Sequence, residues 1–87
     1  MVDSLGDKLK LLRKQKGLTQ LQVAKRIGVS KAVISNYELS NRTPPYEILI
    51  KLAKLYNVST DYLLGIDDRK TIDISGLTER QISAIWL

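Results

Sequence analysis

Between positions 31 and 36 the chain offers an ammonium (Lys31), a bare methyl (Ala32), a hydroxyl (Ser35) and a carboxamide (Asn36). These groups suit the edges of nucleic-acid bases. Lys31 can donate to guanine O6 and N7, or to a phosphate. Ala32 cannot hydrogen-bond but can meet a thymine methyl. Asn36 can bond adenine bidentately or hold a phosphate, and Ser35 can serve either a donor or an acceptor. Val33 fits equally a methyl contact and a partly buried filler. Flanking residues suit a phosphate backbone. Gln20 falls where a helix is expected to start, and free amides there favour an anion. Arg42 and Thr43 follow on the other side.

Covalent chemistry has little to work with. The chain has no histidine and no cysteine, which removes disulfides, the usual zinc sites, cysteine nucleophiles and imidazole acid–base catalysis. The nearest approach to a carboxylate cluster is Asp67, Asp68 and Asp73, which lack metal-loop spacing and read as a solvated turn. Neither catalysis nor a cofactor or metal is expected. Charge points instead to a polyanionic partner. The net charge is +5 over 87 residues. Residues 1–66 hold eleven Lys and Arg against five Asp and Glu, and residues 67–87 hold three against four. The basic body therefore carries +6 and the tail −1, a division that suits binding to a polyanion as well as plain solubility. No apolar run approaches the roughly 20 residues that span a bilayer. Met1, Val2, Asp3 and Ser4 do not form the basic-then-apolar start of a secretion signal, so a cytoplasmic location is expected.

The recognition residues need a scaffold, and the periodicity supplies helices. Leu5, Leu9 and Leu12 recur at helical spacing in a segment expected over 4–16, with Gly17 as its stop. Thr19 and Gln22 form a capping box for a second helix, with Val23, Ala24 and Ile27 facing inward and Gly28 ending it. Ser30 caps a third helix to about position 39, with Ile34 and Tyr37 inward. Asn41-Arg42-Thr43-Pro44-Pro45 is a loop whose second proline is placed to open a fourth helix over about 46–56. In that helix Ile48, Leu52 and Leu55 make one stripe, with Leu49, Ala53 and Tyr56 beside it. Ser59 or Thr60 caps a short fifth helix carrying Tyr62, Leu63 and Leu64, closed by Gly65. Strand patterns are weak throughout, so the expected class is all-α. The organisation read from the sequence is a DNA-binding domain over 1–66, a charged linker over 67–76 and a terminal helix over 77–87. In the terminal helix Thr78 with Gln81 makes a capping box, and Ile82, Ile85 and Trp86 share a face as a candidate dimerisation element.

Residues 20–39 have the spacing of a helix-turn-helix. Two helices that cross steeply need a small side chain at the contact, which Ala24 supplies, and a tight turn, which Gly28 allows. Val29 and Ile34 fill the space between them, and the start of the second helix is left free to enter a major groove.

On these residues the chain resembles the lambda-repressor-like, Cro and xenobiotic-response-element (XRE) family of helix-turn-helix proteins. The matching pieces are Leu-Arg-Lys-Gln-Lys-Gly-Leu-Thr-Gln (12–20), Val-Ala-Lys-Arg-Ile-Gly-Val-Ser (23–30), Ile-Ser-Asn-Tyr-Glu (34–38) and Leu-Ala-Lys-Leu-Tyr-Asn-Val-Ser-Thr-Asp-Tyr-Leu-Leu-Gly (52–65). The resemblance implies a five-helix domain whose third helix reads double-stranded DNA, usually as a homodimer on a near-palindromic operator. It implies that Gln20 touches a phosphate and also braces the recognition helix. It implies further a salt bridge between Arg13 and Glu38, with a phosphate contact as the rival role for Arg13. At Leu39-Ser40-Asn41 the sequence departs from the short glycine-containing loop common in the family, so a different loop shape is expected. The function implied is a sequence-specific transcriptional regulator, a repressor. The alternative is an antitoxin that uses the same domain to bind DNA and its tail to cap a toxin partner.

Overall fold

The computed structural model of the chain describes residues 4–66, and every structural statement below concerns these. The expected linker and terminal helix, and with them Asp67, Asp68, Asp73 and Trp86, lie outside the described residues.

Five helices follow one another, with no strand among the described residues: α1 (Leu5–Gln15), α2 (Gln20–Ile27), α3 (Lys31–Glu38), α4 (Tyr46–Tyr56) and α5 (Thr60–Leu64). Their starts follow from local chemistry. Ser4, Thr19, Ser30 and Ser59 are N-caps whose hydroxyls accept the amides of Asp7, Gln22, Val33 and Tyr62, each satisfying a donor that the helix leaves free. Thr19 and Gln22 form the full reciprocal box. Pro45 stands at the N-cap of α4 with no side-chain cap bond, so it opens that helix from outside its first turn.

The core is continuous. Leu9 and Leu12 of α1, Val23, Ala24 and Ile27 of α2, Ile34 and Tyr37 of α3, and Leu49, Leu52, Ala53, Tyr56, Val58 and Leu63 are all buried. Burying a side chain of leucine size is worth about 1.5–3 kcal/mol. α3 packs on both α1 and α2, α4 packs on α2, and α5 closes against α1 and α4. The inward face of α4 differs from the expected stripe. Leu49, Leu52, Ala53 and Tyr56 are buried, while Ile48 and Leu55 are only half-buried. Two apolar stripes lie side by side on this helix, and packing against α2 and α5 selects one of them. In α5 only Leu63 is buried; Tyr62 is half-buried and Leu64 exposed.

Two lysines on α1 and α4 act as ties between elements. Lys8 Nζ donates to the Tyr62 carbonyl at 2.8 Å and lies 4.9 Å from the Tyr62 ring centroid, joining α1 to α5. Lys51 Nζ reaches the Ile27 carbonyl at 3.4 Å, a cation at the negative end of α2. No described helix is long and apolar enough to cross a membrane.

Candidate nucleic-acid interface

The site is built around α3, whose two ends have different surroundings. At the N-terminal end Ser30 Oγ accepts the Val33 amide at 3.2 Å, and Gly28 makes the preceding turn in the left-handed region, at φ 90°. Ala24 is buried where α2 meets its neighbours. The interlock buries Ile34 and Tyr37, and it leaves Lys31 and Ala32 exposed and Ser35 and Asn36 half-buried. Ala32, Ser35, Asn36 and Leu39 recur at i, i+3, i+4 and i+7, so they form one ridge opposite the core. Leu39, at the C-cap, is 65% exposed and continues that ridge as a large apolar side chain. Its spacing of seven from Ala32 is the sequence signal for that place. Val33 is half-buried and packs against the core.

The C-terminal end of α3 is clamped. Glu38 is buried, with a side-chain exposure of 3%. Its carboxylate accepts three N–H bonds: from Arg13 Nε at 2.7 Å, Arg13 Nη2 at 3.1 Å and Gln20 Nε2 at 3.1 Å. Arg13 also gives Nη1 to the Leu18 carbonyl at 2.9 Å. One guanidinium thus ties α1, the α1–α2 turn and the end of α3 together through a two-pronged pair, the strongest geometry open to arginine and carboxylate. The hydrogen bond with Glu38 pushes the Arg13 pKa up. Tyr56 sits in the same buried surroundings, and its pKa is raised to about 12, first by burial and then by the Glu38 charge, with Arg13 opposing.

Gln20 is half-buried and spends one Nε2 hydrogen on Glu38, leaving the second for another acceptor. Gln20, Thr19 and Lys31 also line one open groove, with Arg13 in its wall. Arg42 and Thr43 are exposed in the loop that follows the C-terminal end of α3. Lys10, Lys14, Lys25 and Arg26 are exposed. No group of His, Cys, Asp or Glu able to hold a metal occurs among the described residues.

Gly6 completes the clamp. A Cβ there would lie 2.6 Å from the Glu38 carbonyl oxygen, 2.7 Å from that of Tyr37 and 2.6 Å from Ser40 Oγ. The backbone of α1 therefore approaches the end of α3 more closely than any side chain allows. The residue is buried in the first turn of α1, where a glycine costs about 1 kcal/mol of helix propensity. That cost was the signal to look for a close approach.

Beyond α3 the chain turns at Ser40, in the left-handed region at φ 62°. The Ser40 amide donates to the Tyr37 carbonyl at 3.2 Å and the Asn41 amide to the Asn36 carbonyl at 2.9 Å, the paired bonds of a Schellman cap. The glycine-capped end of α1 has the same pattern, with Gly17 bonded to Lys14 and Leu18 to Arg13. The end of α3, with a serine in the left-handed position, is thus of the same type as the glycine-capped end of α1. Ser40 Oγ lies 3.4 Å from Ser4 Oγ.

The comparisons with known proteins agree with this geometry. The family model described as helix-turn-helix matches residues 9–63. The chain is 48% identical over 65 residues to the HTH-type transcriptional regulator ImmR of Bacillus subtilis, covering 75% of this chain and 51% of ImmR. It spans about half the length of that curated relative. Among solved structures, the P22 c2 repressor in complex with a synthetic operator superposes with a TM-score of 0.72 at 35% identity, over 76% of this chain and all of that one. SinR in complex with DNA gives a TM-score of 0.64 at 33% identity, over 69% of this chain and 97% of SinR. The fold is all-α and of the lambda-repressor-like kind, and the chain belongs to the helix-turn-helix family.

Proposed function

We propose that this chain binds double-stranded DNA sequence-specifically through the major groove and regulates transcription in the cytoplasm, as a repressor acting as a homodimer on a near-palindromic operator. The observation that carries the reading is the ridge on α3: Ala32, Ser35 and Asn36 lie on the side of the helix away from the buried Ile34 and Tyr37, and Lys31 is exposed beside it at the first position of the helix. The methyl, hydroxyl and carboxamide of this ridge, with the ammonium of Lys31 beside it, match base edges. Gln20, at the start of α2, keeps one amide hydrogen for a phosphate while bracing Glu38. Arg42 and Thr43 serve the backbone on the other side. Such contacts set register and orientation, and the ridge sets sequence. The charge of the body supports the same reading, since the exposed lysines and arginines supply the counterion-releasing part of affinity.

Selection of bound duplexes from a random pool tests it. A two-fold consensus is expected, with half-sites about one helical turn (~10 base pairs) or a multiple apart. An asymmetric consensus would remove the dimer, and a pool left unenriched would remove the reading. Arg42→Ala is the companion measurement: affinity falls for all sequences alike, and the slope of log affinity against log salt shrinks by about one. An unchanged slope takes Arg42 out of the footprint.

A further inference from the structure

We propose that Asn41 is a positioning residue for base recognition: its side-chain amide fixes which way round Asn36 presents its own. The proposal rests on the reading above, that α3 meets base edges.

An asparagine amide has an acceptor and a donor on one small planar group. A half-turn about its last torsion exchanges them with almost no change of shape. Unless something fixes that torsion, the side chain offers two opposite patterns to a base and discriminates poorly between them. Here Asn41 Nδ2 donates to Asn36 Oδ1 at 3.4 Å. The bond is long and lies at the surface, and main-chain bonds beside it bring the two amides together. The Asn41 amide nitrogen donates to the Asn36 carbonyl at 2.9 Å, and the Arg42 nitrogen to the same carbonyl at 3.3 Å. Two successive residues of the loop are therefore anchored on the main chain of Asn36, whose side chain Asn41 meets. The left-handed Ser40 turns the chain back to make this geometry. Asn36 is itself half-buried on the ridge.

Asn41 turns its Nδ2 toward Asn36, and that donor is matched by Oδ1. The acceptor of Asn36 is drawn to the loop, and Nδ2 keeps both hydrogens, with no protein partner among the described residues. Asn36 therefore meets DNA donor first. Its partners are acceptors on the major-groove edge, such as purine N7, guanine O6 or thymine O4. The orientation is set before binding and is not paid for on association. Asn41 touches no base in this scheme; it acts through Asn36.

The experiment uses the full chain and selection from a random duplex pool, with wild type, Asn36→Ala, Asn41→Ala and Asn41→Asp compared position by position. Asn36→Ala is expected to erase the preference at one base pair of each half-site. Asn41→Ala is expected to weaken the preference at that same base pair by about three- to tenfold and leave the others. Asn41→Asp has only acceptors, so it draws in Nδ2 and turns Oδ1 outward; the favoured base at that pair should change. The main-chain bonds of residue 41 survive both changes, and a thermal melt of each variant checks that the fold does too. The proposal is overturned if Asn41→Ala keeps the wild-type preference there, or if both Asn41 variants lose affinity evenly with no change in base ranking. It is overturned equally if Asn36→Ala leaves every position unchanged. A wild-type chain that selects no consensus overturns the DNA reading itself, a result separable from the other two.

Discussion

The two ends of α3 are built on opposite principles. The N-terminal end is held by a local hydroxyl cap and leaves Lys31 and Ala32 exposed. The C-terminal end is held from four directions, by Gly6, Arg13, Gln20 and the 39–42 loop, around a buried carboxylate. The contrast teaches where variation is tolerated. Side chains at the open end touch little else in the protein, so they can change with the DNA sequence at small cost to the fold. The clamped end sets the angle at which the open end leaves the body, so its residues answer to folding first.

The largest expected effect breaks the clamp. Glu38→Ala removes the acceptor of three N–H bonds and leaves Arg13 charged and poorly exposed without its partner. Losing one member of a buried pair costs about 3–5 kcal/mol. Urea denaturation should show most of that loss. Lys31→Ala, at the open end, should change stability by less than about 0.5 kcal/mol and instead weaken binding to one preferred site by about 1–3 kcal/mol. Equal destabilisation by the two variants would erase the distinction between the ends.

Gly6→Ala attacks the same end through shape alone. Of the three nearest atoms Ser40 Oγ can rotate aside, but the carbonyl oxygens of Glu38 and Tyr37 belong to the backbone of α3 and cannot. Overpacking of this kind costs typically 1–3 kcal/mol, and rigid neighbours place this variant near 3 kcal/mol. The gain of about 1 kcal/mol in helix propensity offsets only part of the clash. A melting temperature at or above wild type would show that α1 can retreat from α3, and that the close approach is incidental.

Much of this division could be read from residue types. Local signals were legible because their causes are local: the hydroxyls at 4, 19, 30 and 59, the glycines at 17, 28 and 65, and Ala24 between crossed helices. The clamp was harder. Arg13 and Glu38 are 25 residues apart, so no periodicity joins them, and only the likeness to a family suggested the pair. Gly6 and Lys8 act on residues more than thirty positions away. In α4 the burial of Leu49 and Tyr56 in preference to Ile48 and Leu55 was decided by neighbours, because apolar residues cover too much of the helix for its own pattern to choose. At Ser40 the residue type pointed away from a left-handed turn that the helix end nevertheless makes.

A smaller effect tests how closely Tyr56 belongs to the clamp. Its pKa, raised to about 12 from an ordinary 10.0, means that the fold disfavours the tyrosinate. The native state then holds more protons than the unfolded chain between pH 10 and 12, so stability is full below that window and falls as pH rises through it. At pH 11 the loss from this group is about 1.4 kcal/mol. Lysine titration is common to wild type and Tyr56→Phe, so it cancels in their difference. Denaturation curves should show wild type losing about that much stability relative to Tyr56→Phe between pH 9 and pH 11. Parallel curves would place Tyr56 outside the influence of burial and of Glu38.

Ser40 gives the smallest effect and reverses the usual sign. It holds φ 62° with a side chain, a conformation that costs an L-residue roughly 1–2 kcal/mol. Glycine adopts it freely but also frees the unfolded chain, which takes back some of the gain. The Ser4–Ser40 contact, at 3.4 Å and exposed, adds little that glycine would lose. Ser40→Gly should therefore stabilise the domain by about 1 kcal/mol while keeping the Asn41 and Arg42 amides on Asn36. The two ends of α3 then make a paired forecast: raised thermal stability, with base preference along the ridge unchanged. A destabilised Ser40→Gly would mean that the serine hydroxyl, bridging to Ser4, holds the clamp more firmly than the backbone strain weakens it. A stabilised variant with altered base preference would mean that the strain at position 40 is transmitted along α3, and that the clamped end takes part in reading DNA.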